Sequence, residues 1–107
     1  MKAARVDANQ ADVLTGLRLA GYRVHDTHGL GGGFPDALVG TPWRTLVLIE
    51  IKDGQKPPSR RQLTADETTF HADWHRFPVF TVTSAKDAIE QIDQDREREI
   101  RKRGESW

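Results

Sequence analysis

Hydrophobic and polar positions along the chain follow two periods, which predict both helices and strands. In residues 8–20, "ANQADVLTGLRLA", the apolar side chains lie three and four positions apart, as on one face of a helix. Asp7 is placed to cap this helix and Gly21 to end it. Four later segments, bounded by turn residues, predict strands. They are residues 22–28, 36–40, 44–52 and 77–83.

Two further helices are indicated by their capping residues. Thr64 and Glu67 have the spacing of a capping box, which predicts a helix that runs to about residue 75. Ser84 and Asp87 open a last helix in the same way. The apolar positions of that last helix are Ala88, Ile89, Ile92 and, more sparsely, Ile100. Beyond residue 92 the sequence is almost entirely charged, which predicts a solvated helical extension over residues 93–107.

The predicted order of elements is αβββαβα, which implies an α/β fold with a mixed β-sheet flanked by helices. Three strands in succession form an antiparallel meander, and a helix then crosses over to a fourth strand. At 107 residues the chain is long enough to bury one core, and no internal repeat is visible. We therefore expect a single domain over residues 1–107, with its core in about residues 6–92.

Composition excludes some classes of function and leaves others open. The chain contains no cysteine, which excludes disulfides, thiolate zinc sites and a cysteine nucleophile and fits a reducing cytoplasm. No segment is apolar enough to span a membrane, and "MKAARVDANQ" lacks the apolar stretch of a signal peptide. The 16 basic and 16 acidic residues cancel, which argues against a non-specific nucleic-acid binder but not against an enzyme that binds DNA locally.

The most hydrophobic strand, residues 44–52, ends with two charged side chains. Because side chains alternate across a strand, Glu50 and Lys52 share one face, roughly 7 Å apart. An isolated carboxylate beside Leu46 and Leu48 is costly to bury unless its charge is compensated, and a divalent cation would compensate it. The alternative is that both charges simply reach solvent at the end of the strand.

A second carboxylate favours the first of these interpretations. Asp36 begins the preceding strand, and the turn "GTPW" returns the chain so that residues 36–40 and 45–52 pair antiparallel. This pairing places Asp36 and Glu50 at the same edge of the sheet. Two carboxylates, a main-chain carbonyl and water form a suitable Mg²⁺ site.

The motifs together resemble a family of nucleases. They are "NQAD" at 9–12, "GFPDALVG" at 33–40, "VLIEIKDGQKPPS" at 47–59 and "LTADETTFHADW" at 63–74. Over about residues 6–92 the chain is similar to the PD-(D/E)XK nucleases, in particular to the small stand-alone phage and prophage members of the VRR-NUC branch. The resemblance implies a restriction-endonuclease-like core and metal-dependent hydrolysis of DNA.

Position by position, the resemblance implies a metal site and its surroundings. Asp36 and Glu50 would bind Mg²⁺ or Mn²⁺ with the main-chain carbonyl of Ile51, and Lys52 would orient the attacking water. Asp12 stands where the family has a helix glutamate that reaches the metal, often through water, and is one methylene shorter. Two further residues, Gln10 and Glu67, would support these groups or the local structure.

Partners follow partly from the residues and partly from the resemblance. Lys56, Arg60 and Arg61 flank the charged strand in a proline-stiffened loop and are either surface charge or a phosphate clamp, the interpretation we favour. The resemblance implies branched or duplex DNA as substrate, with Holliday junctions foremost. A homodimer is expected because one small protomer offers little surface to DNA. The expected location is the cytoplasm of a bacterial or phage-infected cell.

Two other motifs give weaker indications of function. "GLGGG" lacks the G-K-[ST] of a phosphate loop and is expected to give the chain flexibility before Asp36. His71 and His75 lack a third zinc ligand, so we expect partial burial beside Trp74.

A catalytically silent DNA-binding protein that keeps the nuclease fold remains an alternative, because the net charge is zero and the side chain of Asp12 is shorter than that of glutamate. A small α/β interaction module is a weaker one.

Overall fold

The order of secondary-structure elements is the one that the sequence predicts. A computed structural model of the protein describes residues 8–105. Its helices and strands are α1 (Gln10–Leu19), β1 (Arg23–Asp26), β2 (Ala37–Gly40), β3 (Leu46–Ile51), α2 (Ala65–Asp73), β4 (Val79–Val82) and α3 (Ala85–Glu105). Two short 3₁₀ turns, His28–Leu30 and Pro58–Arg60, lie in the connections.

The four strands form one mixed sheet in the order β1-β2-β3-β4. The first two pairs are antiparallel, and β3 pairs with β4 in parallel after the crossover through α2. This arrangement confirms the predicted α/β class and mixed sheet, and it is compatible with a restriction-endonuclease-like fold. The register of β2 and β3 also confirms the predicted antiparallel return through the "GTPW" turn.

The two faces of the sheet have different roles. Val39, Ile49 and Ile51 point to one face and are fully buried there. On that face they pack with apolar side chains of α1 and α3 in a single core. Because side chains alternate, Leu48 and Glu50 of β3 point to the opposite face. The core therefore holds the sheet rigid from one side and leaves the other side available for a site.

The start of α1 differs in detail from the prediction. The helix begins at Gln10 with Asn9 as its N-cap residue, whereas the predicted cap, Asp7, lies outside the described residues. The Asn9 amide donates hydrogen bonds to the main-chain oxygens of Lys52, at 3.1 Å, and of Thr83, at 2.8 Å. It thereby ties the start of α1 to the ends of β3 and β4, which is where Glu50 lies.

The capping predictions for the other two helices are confirmed. The Glu67 amide donates to the Thr64 hydroxyl at 3.2 Å, and the Thr64 amide donates to the Glu67 carboxylate at 2.9 Å. The Asp87 amide donates to the Ser84 hydroxyl at 2.9 Å. In α3, Ile92 is buried and Ile100 is 55% exposed. Most of the described side chains in residues 93–104 are exposed, as expected for that part of the charged extension.

The glycine loop before β2 provides a test of how α2 is positioned. Gly33 has φ +85°, and a Cβ there would lie 2.3 Å from the main-chain oxygen of Asp66 in α2. We expect Gly33→Ala to lower the free energy of unfolding by about 2–3 kcal/mol, because both the backbone and the contact are incompatible with a side chain. Urea denaturation measures the change. Gly29→Ala is the matched control, since a Cβ at Gly29 meets nothing within 4 Å, and equal losses in both variants would contradict the prediction.

Candidate active site

Asp36 and Glu50 lie opposite each other on the sheet face that points away from the core. Ala37 pairs with Ile49, so the next antiparallel position places Asp36 opposite Glu50. Both side chains are buried, with exposed fractions of 9% and 2%. The structure thus brings together the two carboxylates that the sequence predicts to meet.

Asp36 is held in place by main-chain hydrogen bonds on both sides. The Ile51 amide of β3 donates to its Oδ2 at 2.6 Å. On the other side, the Thr27 amide donates to the main-chain oxygen of Asp36 at 2.8 Å. The Thr27 hydroxyl donates to the Pro35 carbonyl at 2.7 Å. The carboxylate is therefore held by β3, and the main chain at Asp36 is held by Thr27, the residue that follows β1.

Burial and mutual proximity favour the protonated form of the Asp36–Glu50 pair. Burial raises the pKa of Glu50 to about 10, and contact with the Asp36 carboxyl and the charge of Glu67 act in the same direction. Burial also raises the pKa of Asp36, although hydrogen bonds from Glu50 and from the Ile51 amide oppose this rise. Without a cation, the pair therefore carries a proton at neutral pH.

One oxygen of this pair lacks a partner. Oε1 of Glu50 is buried and accepts no hydrogen bond within the part of the chain that the structure describes. Buried polar atoms are normally satisfied, and an orphaned carboxylate oxygen beside a second carboxylate is a costly arrangement. The cost is relieved if a cation binds to both groups.

Lys52 is held next to the pair by α2. Its Nζ lies 2.8 Å from Oε1 of Glu67, and both side chains are largely buried. Burial alone would raise the pKa of Glu67, but the Lys52 ammonium and the Thr64 amide outweigh it and lower the pKa. Glu67 is thus ionised, and the capping box that starts α2 also orients the carboxylate that binds Lys52.

The donor set fits a hard divalent cation. Carboxylate and carbonyl oxygens are the ligands that Mg²⁺ and Mn²⁺ prefer. Within residues 8–105, no group of three or more His, Cys, Asp or Glu side chains is arranged to hold a metal ion. A cation here would accordingly use Asp36 and Glu50, with water and the main-chain carbonyl predicted for Ile51.

The structure does not bring Asp12 into this buried group. Asp12 is exposed on α1, two positions from Gln10 and so on a different side of the helix. Gln10 lies on the buried face with Val13, Leu14 and Leu17. The predicted water-mediated contact of Asp12 with a metal therefore stays a prediction.

Gln10 itself is an unusual buried residue. It is 5% exposed, and neither atom of its amide has a hydrogen-bond partner among the described residues. It lines a groove of about 570 Å³ together with Arg18, Asp26 and His28. The sequence gives little indication of this burial, because a glutamine at the start of a helix is normally solvated.

The predicted phosphate clamp lies in the loop after β3. Lys56 and Arg60 are exposed, whereas Arg61 is half-buried. Pro57 precedes the 3₁₀ turn Pro58–Arg60, which stiffens this part of the loop. The loop leads from the charged end of β3 to α2, so its cations lie along the chain between Lys52 and Glu67.

His71 is a neighbour of the site whose position the sequence did not predict. It is half-buried on α2, as expected. It also lies close enough to Glu67 and Lys52 for their charges to affect its pKa. Burial lowers its pKa, so the imidazole is neutral. Nε2 is buried without a partner among the described residues. The sequence did offer one indication of this position: His71 follows Glu67 by four residues, which places both side chains on one face of the helix.

Comparison with known proteins gives no match: neither a family model, nor a curated protein, nor a solved structure corresponds to this chain.

None of the helices in residues 8–105 is both long and apolar enough to cross a membrane. The longest, α3, has 21 residues, and most of them are polar or charged.

Proposed function

We propose that the protein is a Mg²⁺- or Mn²⁺-dependent deoxyribonuclease that hydrolyses phosphodiester bonds. The observation that carries the proposal is the buried Asp36–Glu50 pair, with Lys52 held beside it on the same face by Glu67. A structural ion pair would not require two facing carboxylates with an orphaned oxygen. The resemblance to the PD-(D/E)XK nucleases supports the same roles for these residues.

Each residue of the proposed site would have a separate role. Asp36 and Glu50 would hold the cation, and the main-chain carbonyl of Ile51 would complete their contribution. When bound, such a cation acidifies water and offsets charge on the scissile phosphate. Lys52 presents a compact ammonium that orients the attacking water and balances negative charge on the phosphate. Glu67 positions Lys52 through the 2.8 Å contact.

The mounting of these groups suits catalysis. Glu50 belongs to β3, which pairs with β2 on one side and with β4 on the other. Its neighbours Ile49 and Ile51 are anchored in the core. Side chains on a packed central strand are held more precisely than side chains on loops. Lys56, Arg60 and Arg61 are proposed to contact the phosphates of bound DNA.

The proposed partners are branched or duplex DNA and a second copy of the chain, within the cytoplasm of a bacterial or phage-infected cell. A second candidate function is that of a catalytically silent DNA-binding protein with the same fold. The position of Asp12 favours it, because the helix acid is exposed and the buried face of α1 carries an amide, Gln10, instead.

A cleavage assay separates these functions. The protein is incubated with Mg²⁺ or Mn²⁺ and with labelled duplex, single-stranded, flap and four-way junction DNA. We expect cleavage of at least one substrate and a loss of about 10³-fold or more in Asp36→Asn and Lys52→Ala, as for other catalytic groups. Asp73→Asn, an exposed acid on α2, is the control. Cleavage that survives both substitutions would refute the site, and tight binding without cleavage would favour the silent protein.

A further inference from the structure

Four aromatic rings form a contiguous series along α2, and the first of them belongs to the loop that leads into Asp36. Phe34 contacts Phe70 edge-on, with ring centroids 5.3 Å apart. Phe70 stacks on Trp74 at 5.3 Å with an interplanar angle of 4°, and Trp74 contacts Phe77 at 5.2 Å. Phe34 lies two residues before Asp36 in the chain. We refer to these four rings as the aromatic series.

The aromatic series does not belong to the core. No residue of α2 is buried, and the core cluster is made on the other face of the sheet by α1 and α3. Trp74 is 40% exposed and Phe77 is 58% exposed. Large aromatic side chains dominate burial energetics, so several of them in contact at a surface indicate a site of interaction.

The far end of the series opens into a groove with basic walls. Phe77 lines this groove, which has a volume of about 760 Å³, and Trp43 lines it as well. The Arg96 guanidinium lies over the Trp43 ring, 4.6 Å from its centroid. The charged groove residues are the cations Arg76, Arg96, Arg98, Lys102 and Arg103 and the acids Asp95 and Glu99.

This groove is locally positive in a protein of zero net charge. Five Arg or Lys side chains and two acids line it. Both acids pair with cations of the same groove, since Asp95 lies 3.6 Å from Arg98 and Glu99 lies 3.8 Å from Lys102, and three cations remain in excess. Such a surface attracts a polyanion, and screening by salt weakens that attraction.

Rings and cations together select one kind of polyanion. Aromatic platforms next to a basic groove bind single-stranded nucleic acid, whose unpaired bases stack on the rings while its phosphates contact the cations. A duplex presents no free base faces to the rings. An acidic peptide would match the charge of the groove, but its charge alone gives no reason for a contiguous series of four aromatic rings next to the cations.

We propose that the aromatic series and the basic groove form a path for an unpaired DNA strand that leaves the Asp36–Glu50 site along α2. The path selects substrates that carry a single-stranded arm, such as flaps, over fully paired DNA. The selection of a cleavage substrate rests on the proposed nuclease function. Binding of the unpaired strand does not, because it involves no metal and no bond cleavage.

The test measures binding without cleavage. Fluorescence anisotropy of a labelled 12-nucleotide oligo(dT) and of a matched 12-base-pair duplex is recorded in EDTA, with the full chain. We expect tighter binding of the single strand, and we expect Trp74→Ala and Phe77→Ala each to weaken it about tenfold, within the range for loss of one stacked base. Duplex affinity should change less than twofold. Trp74→Tyr, which keeps a ring, should retain most of the affinity, and Arg96→Ala should flatten the salt dependence by about 0.7 in log–log slope.

The controls make each outcome decisive. Leu19→Ala removes an exposed apolar side chain of α1, 84% exposed, and should leave oligo(dT) affinity unchanged. Circular dichroism checks folding, and if Trp74→Ala does not fold, Phe77→Ala at the more exposed ring decides. Equal affinity of the native protein for single strand and duplex would overturn the path. So would a Trp74→Ala variant that dissociates a dimer in sedimentation yet keeps its oligo(dT) affinity, because the rings would then form a protein interface.

The two proposals fail in different ways. Cleavage of duplex DNA by a protein with no preference for oligo(dT) would leave the nuclease standing and remove the path. Ring-dependent binding of oligo(dT) without cleavage of any substrate would remove the nuclease and leave the path as the binding surface of a silent protein.

Discussion

Glu50→Gln is expected to abolish cleavage and, at the same time, to make the metal-free protein more stable. The loss of activity should be about 10³-fold or more, as for removal of other essential groups. The gain in stability follows because at neutral pH the native glutamate must take up a proton when it is buried, whereas the substituted amide is already neutral and can still donate to Asp36 as the acid proton does. A residue that serves only structure would show the opposite, a loss of stability.

The size of the effect changes with pH in a defined way. The folded-state pKa of Glu50, about 10, lies above its ordinary value of 4.5. The contribution of this group to stability is fully present below pH 4.5 and is lost as the pH rises toward 10. Glutamine does not titrate. The two proteins should therefore have similar free energies of unfolding near pH 5, and the variant should be more stable by a few kcal/mol at pH 8, since each pKa unit corresponds to about 1.4 kcal/mol.

Urea denaturation at both pH values, in EDTA, measures this difference. Glu90→Gln is the matched control, because Glu90 is an exposed glutamate of α3 and its substitution should change the free energy of unfolding by less than about 0.5 kcal/mol at either pH. A Glu50→Gln variant that is less stable than the native protein at pH 8 would show that the Asp36–Glu50 pair does not hold a proton at that pH.

Affinity for Mg²⁺ or Mn²⁺ is expected to rise steeply with pH. A cation can bind the Asp36–Glu50 pair only after the shared proton leaves, because metal ligands bind in their deprotonated form. Between about pH 6 and 9, below the raised pKa of Glu50, the apparent association constant should rise by up to about tenfold per pH unit. Addition of Mg²⁺ should stabilise the folded protein increasingly over the same range.

Isothermal titration calorimetry in two buffers with different ionisation enthalpies counts the protons released. We expect about one proton per bound cation. Glu50→Gln should remove both the proton release and most of the affinity, whereas Asp73→Asn should change neither. An affinity that is the same at pH 6 and pH 9 would contradict a shared proton, even if the protein binds the cation.

α2 emerges as the element that joins the parts of the proposed site. Its first turn supplies Glu67 to Lys52, and its side chain Phe70 and the adjoining Trp74 form the middle of the aromatic series. The predicted clamp precedes it in the chain, and the basic groove follows it. A strand lying along α2 would meet cations at both ends, so the same helix would position the catalytic lysine and guide the unpaired arm.

The sequence by itself determined the order of the elements, the capping of α2 and α3, and the faces of β3. Each of these depends on residues close together in the chain: the spacing of Thr64 and Glu67, or the alternation that puts Ile49 and Ile51 on one face and Glu50 on the other. The meeting of Asp36 with Glu50 was also predictable, because one short turn joins their strands and fixes the register.

Only the tertiary structure decided which other side chains join that pair. Lys52 and Glu67 are separated by a loop whose path no local pattern specifies, and yet they meet at 2.8 Å. Likewise, burial of Gln10 and exposure of Asp12 depend on how α1 is rotated against the sheet, and the union of Phe34 with Phe70 depends on the close approach of Gly33 to Asp66. Periodicity along the chain reports local geometry, whereas these contacts, and the pKa values that follow from burial, arise only when distant segments pack together.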